Sequence, residues 1–211
     1  GTTLTVACAG GTNQTITDGG IGRLRLQPDG KILVGGRSFS SGSFTGILAR
    51  FNSNGSLDTT FGTNGSATAS VSGIFSVALQ SDGKIVAGGW NQGSTGTGAW
   101  GRYATDGTIE GGALVNAAVP INDVAIQPDG KIVFAGDSNY SIMRFNSDKT
   151  VDTRFGNGGI QRVSWTSSVN RATSLIIQPS GRIIVGGYAF VLGAGNDFAV
   201  ARLGSHGFLD L

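Results

Sequence analysis

The chain has 211 residues, room for one large domain or two small ones with a buried core, and its 15 basic and 13 acidic residues leave a net charge of +2. Its basic residues are scattered and no stretch approaches the roughly 20 apolar residues of a membrane helix, so a phosphate-tracking surface and a membrane span are excluded. One cysteine, Cys8, and one histidine, His206, exclude an internal disulfide and a His/Cys zinc site within one chain.

The chain opens at Gly1, without Met and without a signal segment, which is compatible with the loss of a leader or a longer precursor. A strand-like run, Thr2 to Ala7, comes first. Next is Leu26-Gln-Pro-Asp-Gly-Lys-Ile32, running on into Leu33-Val-Gly-Gly36. A polar Asp-Gly turn between two short β-prone runs predicts a hairpin. After a variable loop, Ile47-Leu-Ala-Arg-Phe-Asn52 and Leu57-Asp58 flank Ser53-Asn-Gly-Ser56 and predict a second hairpin. The same two-hairpin unit then recurs. Its Gln frames are Leu79-Gln-Ser-Asp-Gly-Lys-Ile85, Ile126-Gln-Pro-Asp-Gly-Lys-Ile132 and Ile177-Gln-Pro-Ser-Gly-Arg-Ile183. Arg102-Tyr103 with Ile109-Glu110, Met143-Arg-Phe-Asn146 with Val151-Asp152, and Ala201-Arg-Leu203 with Leu209-Asp210 complete them.

Four repeats of about four short strands, with no amphipathic helix pattern, predict an all-β propeller of four blades. The expected repeats are 21–73, 74–120, 121–170 and 171–211, in a single domain over 1–211. The 37 glycines are turn chemistry rather than disorder, because the hydrophobic 39% of the chain falls in regular bursts. Arg50, Arg102, Arg144 and Arg202 are each followed eight positions later by an acid, Asp58, Glu110, Asp152 and Asp210. Across a tight turn that offset puts both side chains on neighbouring strands. A pair present in every repeat is structural rather than catalytic. The fourth repeat stops at Leu211 without an outer strand, so residues 1–20 are expected to close the ring, with 1–8 as the missing strand. The competing reading is a piece cut from a longer array.

The frames Leu-Gln-Pro-Asp-Gly-Lys-Ile-Leu-Val-Gly-Gly and Ala-Arg-Phe-Asn-Ser-Asn-Gly-Ser-Leu-Asp-Thr-Thr-Phe-Gly resemble the delta-60 repeat of bacterial secreted and surface proteins over residues 21–211. They are more distantly similar to the NHL propeller repeat. The second repeat departs at Thr108-Ile-Glu-Gly-Gly112, where the Leu-Asp-x-x-Phe-Gly ending is lost. The resemblance implies an extracellular or envelope-associated module and carries over no catalytic residue.

Immediately after the Gly that ends each second strand stand Arg37, Trp90, Asp137 and Tyr188. A constant backbone with a changing side chain is how repeat folds build a binding face. Two aromatic rings, an acid and a guanidinium suit a planar polar ligand such as a sugar, although the same residues could merely seal the blades. His206 falls in a turn, and no nucleophile elbow has suitable partners, so the chain is expected not to be an enzyme. No cofactor is expected. Calcium is the nearest candidate, on the oxygen-rich stretches Asn52 to Asp58 and Asn146 to Asp152, which lack the acidic density of a true site. The resulting expectation is an extracellular module for adhesion or assembly, with a protein or glycan partner at the cell surface or a place in a larger complex. A lectin on the Arg37, Trp90, Asp137 and Tyr188 face is the alternative, and a hydrolase or lyase there the third reading.

Overall fold

A computed structural model describes residues 4–6, 14–16, 21–69, 71–92, 97–114, 119–137, 139–164, 170–191, 193 and 195–210. Cys8, Trp165 and the head of the expected closing segment lie outside them. Among the described residues every regular element is a strand and none is a helix. The chain forms two compact units, Gly1–Ala118 and Val119–Leu211, each holding two repeats.

The first unit begins with a short hairpin of β1 (Leu4–Val6) and β2 (Gln14–Ile16). Its first repeat is the antiparallel sheet β3 (Ile21–Leu26), β4 (Ile32–Ser40), β5 (Ser43–Phe51) and β6 (Ser66–Thr68). Its second is β7 (Gly73–Leu79), β8 (Ile85–Asn91), β9 (Thr97–Tyr103) and β10 (Ile109–Leu114). The second unit holds β11 (Ile121–Ile126), β12 (Ile132–Gly136), β13 (Ser141–Phe145) and β14 (Ile160–Arg162), then β15 (Asn170–Ile177), β16 (Ile183–Val191) and β17 (Gly195–Leu203). In each sheet sequential strands are neighbours, the meander of a propeller blade.

The repeated sequence explains the repeated geometry. In every Gln frame the turn is closed in the same way, as in Gly30 N–H donating to the Gln27 carbonyl at 2.9 Å. Each first strand also shifts register at the same place, between Ile21 and Leu24, Ile74 and Ser76, Ile121 and Asp123, and Ala172 and Ser174. This bulge throws backbone across the end of the second strand. A Cβ at Gly89 would lie 1.8 Å from the Gly73 carbonyl oxygen, and one at Gly187 would lie 1.9 Å from that of Arg171. The glycines at this place in the second, third and fourth repeats, Gly89, Gly136 and Gly187, are therefore demanded by a close backbone approach. Leu33, Leu48, Phe61, Ile74, Val77 and Ile85 fill the core of the first unit. Val133, Tyr140, Phe155, Leu175, Ile183 and Leu203 fill that of the second. Each such side chain, fully buried, contributes roughly 1.5–3 kcal/mol.

Three expectations change. Leu4–Val6 pairs with Gln14–Ile16 and not with the last sheet, which has three strands among the described residues. A partner a few residues away closes a far shorter loop than one across the whole chain, so the local pairing is entropically favoured. The second repeat, despite its lost ending, does have an outer strand: β10 pairs with β9 from Ile109 opposite Tyr103 to Leu114 opposite Ala99. It follows the turn directly, without the intervening Phe-Gly loop. The stretches read as variable loops after Arg37 and Tyr188 are extended ladders, running to Ser40 opposite Ser43 and to Val191 opposite Gly195.

Candidate functional site

The repeated Arg–acid pairs sit in the second hairpins. Arg50 Nε donates to Asp58 Oδ2 at 2.6 Å, and Arg144 Nε to Asp152 Oδ2 at 2.8 Å. Arg102 Nε reaches Glu110 Oε2, and Arg202 Nε reaches Asp210 Oδ2, both at 2.9 Å. Each acid takes a second cation from the Gln frame: Lys31, Lys84, Lys131 and Arg182 at 2.9, 3.3, 3.2 and 2.7 Å. The fixed place of that Lys or Arg in the frame was a signal for this second contact, and sequence reasoning passed over it.

In the first and third repeats the pair is part of a clip. The Arg50 guanidinium lies 4.6 Å from the centre of the Phe61 ring and its Nη1 donates to the Thr105 carbonyl at 2.5 Å, in the next repeat. Arg144 repeats this with Phe155, at 4.5 Å, and with the Ser205 carbonyl. The Thr60 hydroxyl holds the Asp58 carboxyl below the ordinary carboxylate range, Lys31 and Arg50 reinforcing it against burial. Burial pushes Asp152 the other way, but Lys131, the Arg154 N–H and Arg144 outweigh it and leave the net shift downward.

The four variable residues separate into two clusters, one in each unit. In the first, Arg37 on β4 lies with its guanidinium 4.7 Å from the Phe44 ring centre and 6.0 Å from that of Trp90 on β8. Phe44 also packs on Phe39 at 4.7 Å and on Trp90 at 5.8 Å between ring centres. Gln92 accepts from the Phe44 N–H at 2.8 Å and fastens the hairpin tip to the second repeat. Gly73 makes room for the indole, since a Cβ there would stand 2.4 Å from Trp90 Nε1. Arg37 Nε and Trp90 Nε1 are both buried, and neither has a hydrogen-bond partner. Arg37 forms no ion pair among the described residues.

In the second unit Arg171 on β15 forks both carboxylate oxygens of Asp137, and Asn122 donates to Asp137 as well. Tyr188 lies opposite Arg171 in the β15–β16 register. Asp137 first, then burial in opposition and Tyr188 in support, set the Arg171 guanidinium, whose pKa rises further above its ordinary value. Arg171, Asn122 and Phe44 were not singled out from sequence, because their partners are brought near only by the folded sheets.

His206 sits at a turn beside Ser205 and lines a cavity of about 340 Å³ with Lys131, Arg144 and Ser180. Within the stretches suggested for calcium, Asn54 Oδ1 accepts from Ser56 and Asp148 Oδ1 from Thr150, so these oxygens close turns. Among the described residues no group of three or more His, Cys, Asp or Glu converges.

The chain matches the repeat family described as "Domain of unknown function (DUF5122) beta-propeller" at residues 27–61, 80–110, 127–155 and 178–211. No curated protein matches it. Among solved structures it is similar to a luciferin-regenerating enzyme, at 12% identity and a TM-score of 0.59, covering 94% of this chain and 68% of that one. It is similar to a putative gluconolactonase at 10% and 0.52, covering 92% and 62%. A catalytically inactive virginiamycin B lyase from Staphylococcus aureus, with quinupristin, gives 14% and 0.50, covering 96% and 59%. The chain thus spans between 59% and 68% of these proteins. At such identities the likeness shows the fold alone. It does overturn the expectation that the chain is not an enzyme, because the same fold carries proteins named as enzymes. The physical reason is that function resides in loops and face residues rather than in the blade scaffold, so the absence of a nucleophile motif in the scaffold excludes nothing.

Proposed function

Since this chain belongs to the DUF5122 β-propeller family, we propose that it is an extracellular or cell-surface binding module whose Arg37–Phe44–Trp90 cluster takes a carbohydrate. The observation that carries this is the pair of buried donors without acceptors, Arg37 Nε and Trp90 Nε1, set beside aromatic faces. A buried unsatisfied donor costs about 1–3 kcal/mol, and a ligand oxygen entering the cluster removes that cost. Sugar rings add an apolar face for Phe44 and Trp90 to stack on. Adhesion or protein assembly through this module is the biological role that a surface-borne sugar site would serve. No helix of the described residues is long and apolar enough to cross a membrane.

The test is a glycan array probed with the whole chain, with product analysis of every sugar retained. Retention is expected, weakened at least about tenfold in Trp90→Ala, the equivalent of about 1.4 kcal/mol. Cleaved or eliminated products would make the same cluster the place to look for catalysis. No retention on any glycan, or full retention by Trp90→Ala, would sink the carbohydrate reading.

A further inference from the structure

The two units build one repeat position in opposite ways. Ten residues after its frame Gln, the first repeat carries Arg37 and the third carries Asp137. In the second unit this position is closed from within. The Arg171 guanidinium forks both Asp137 carboxylate oxygens, and Asn122 donates to the same group. Arg171 stands seven residues before Gln178, and Asn122 five before Gln127. The corresponding residues of the first unit are Gly73, seven before Gln80, and Gly22, five before Gln27. Both side chains that satisfy the position in one unit are thus glycines in the other.

Arg37 is left with a charge and no counter-charge among the described residues. Its neighbours are the Phe44 and Trp90 rings, whose faces attract a cation but carry no net charge. The described acids of the unit lie at the other end of the sheets. Asp29, Asp82 and Asp106 are in the turns between β3 and β4, β7 and β8, and β9 and β10, and Asp58 and Glu110 pair with Arg50 and Arg102. Arg37 faces Gly46 towards the opposite tip, where β4 turns into β5. Its Nε is buried and has no hydrogen-bond partner. What the first unit presents at this position is therefore one half of an ion pair.

We infer that the ligand supplies the other half: the sugar taken by Arg37, Phe44 and Trp90 carries a carboxylate. This rests on the carbohydrate reading of the cluster and narrows it to acidic sugars. A guanidinium fork matches the two oxygens of a carboxylate, and charge-assisted hydrogen bonds of this kind are about twice as strong as neutral ones. A carboxylate is favoured over other anions because it is the group that the second unit sets against its own arginine at this position. A neutral sugar can stack on the rings but leaves the Arg37 charge uncompensated.

Titration calorimetry on the whole chain tests this with galacturonic acid oligomers and sialyllactose, each beside its carboxyl-reduced counterpart. The acidic member of each pair that binds should bind about tenfold to a hundredfold more tightly, the worth of a hydrogen bond to a charged group. That preference should shrink with added salt. Arg37→Gln should erase it and Arg37→Lys should restore part of it. The preference is a ratio within each variant, so a general loss of affinity does not imitate it. Equal affinity of the wild type for acidic and reduced members overturns the inference and leaves the carbohydrate reading standing. So does retention of neutral glycans alone on the array. A preference that survives in Arg37→Gln overturns the assignment to Arg37, and failure of every glycan to bind removes both readings.

Discussion

At Gly207 two constraints meet in one residue. Its φ is +90°, in the left-handed region, and a Cβ there would stand 2.6 Å from the Phe155 ring. Gly181 shares the conformation, at +79°, but has only the Ser205 Cβ nearby at 3.7 Å. Left-handed backbone costs an L-residue about 1–2 kcal/mol, and overpacking against a core ring adds about 1–3 kcal/mol. Urea unfolding should therefore show Gly207→Ala losing about 3 kcal/mol and Gly181→Ala about 1 kcal/mol. Equal losses would mean that the Phe155 contact carries no weight. Tyr140 gives a second test. Burial pushes its hydroxyl up to about 12, above the roughly 10 of an unfolded tyrosine. The folded state therefore holds the proton more tightly, and this contribution is complete below about pH 10 and lost as the pH climbs towards 12. Tyr140→Phe should flatten the stability profile in that window and also lower stability at neutral pH, where it leaves the Val185 and Ala199 carbonyls without its hydroxyl.

Among elements, the second hairpins are the most informative. Arg144 is buried with Asp152, stacks on Phe155 and reaches the Ser205 carbonyl, whereas Glu110 beside Arg102 is partly exposed and no Phe-Gly loop follows it. Removing one partner of a buried pair costs about 3–5 kcal/mol, and the cost falls as the pair gains access to water, towards about 1 kcal/mol or less for a fully exposed one. Arg144→Ala should thus destabilise far more than Arg102→Ala in the same denaturant titration. The acid side follows from the same pairs. Asp58 and Asp152 are held below the ordinary carboxylate range, so the unfolded state binds more protons than the native one. Their contribution is complete above the unfolded carboxylate value near 4 and drains as the pH falls through it into strong acid. Asp152→Asn should shallow that acid loss, and an unchanged slope would contradict the assignment.

The eight-residue offset made these pairs legible, because a tight turn converts sequence spacing directly into strand adjacency. The aromatic half of the clip was not, since Phe61 and Phe155 meet the next repeat only through packing. The β10 strand was obscured for a different reason: after a register shift between Ile109 and Gly112, its backbone pairs with β9 from Gly112 opposite Gly101 to Leu114 opposite Ala99, without the ending that marks the other repeats.

For the whole molecule, a twofold pattern overlies the fourfold one. The complete Arg–acid–Phe clip occurs in the first and third repeats, and each time it grips the turn of the repeat that follows within the same unit, at Thr105 and Ser205. Repetition of the Gln frame made the blade count readable. Which residues gather around Arg37 and around Asp137 was not readable, because those neighbours lie on different strands at unrelated sequence distances. The site rests most heavily on an indole N–H that the protein itself leaves without an acceptor. Nitrogen-resolved NMR of the tryptophan side chains, recorded while a sugar selected on the array is added, observes that group directly. The Trp90 indole proton is expected to move downfield as the ligand oxygen engages it, while that of the fully buried Trp100 stays in place. Saturation of binding with the Trp90 signal unmoved would contradict the account.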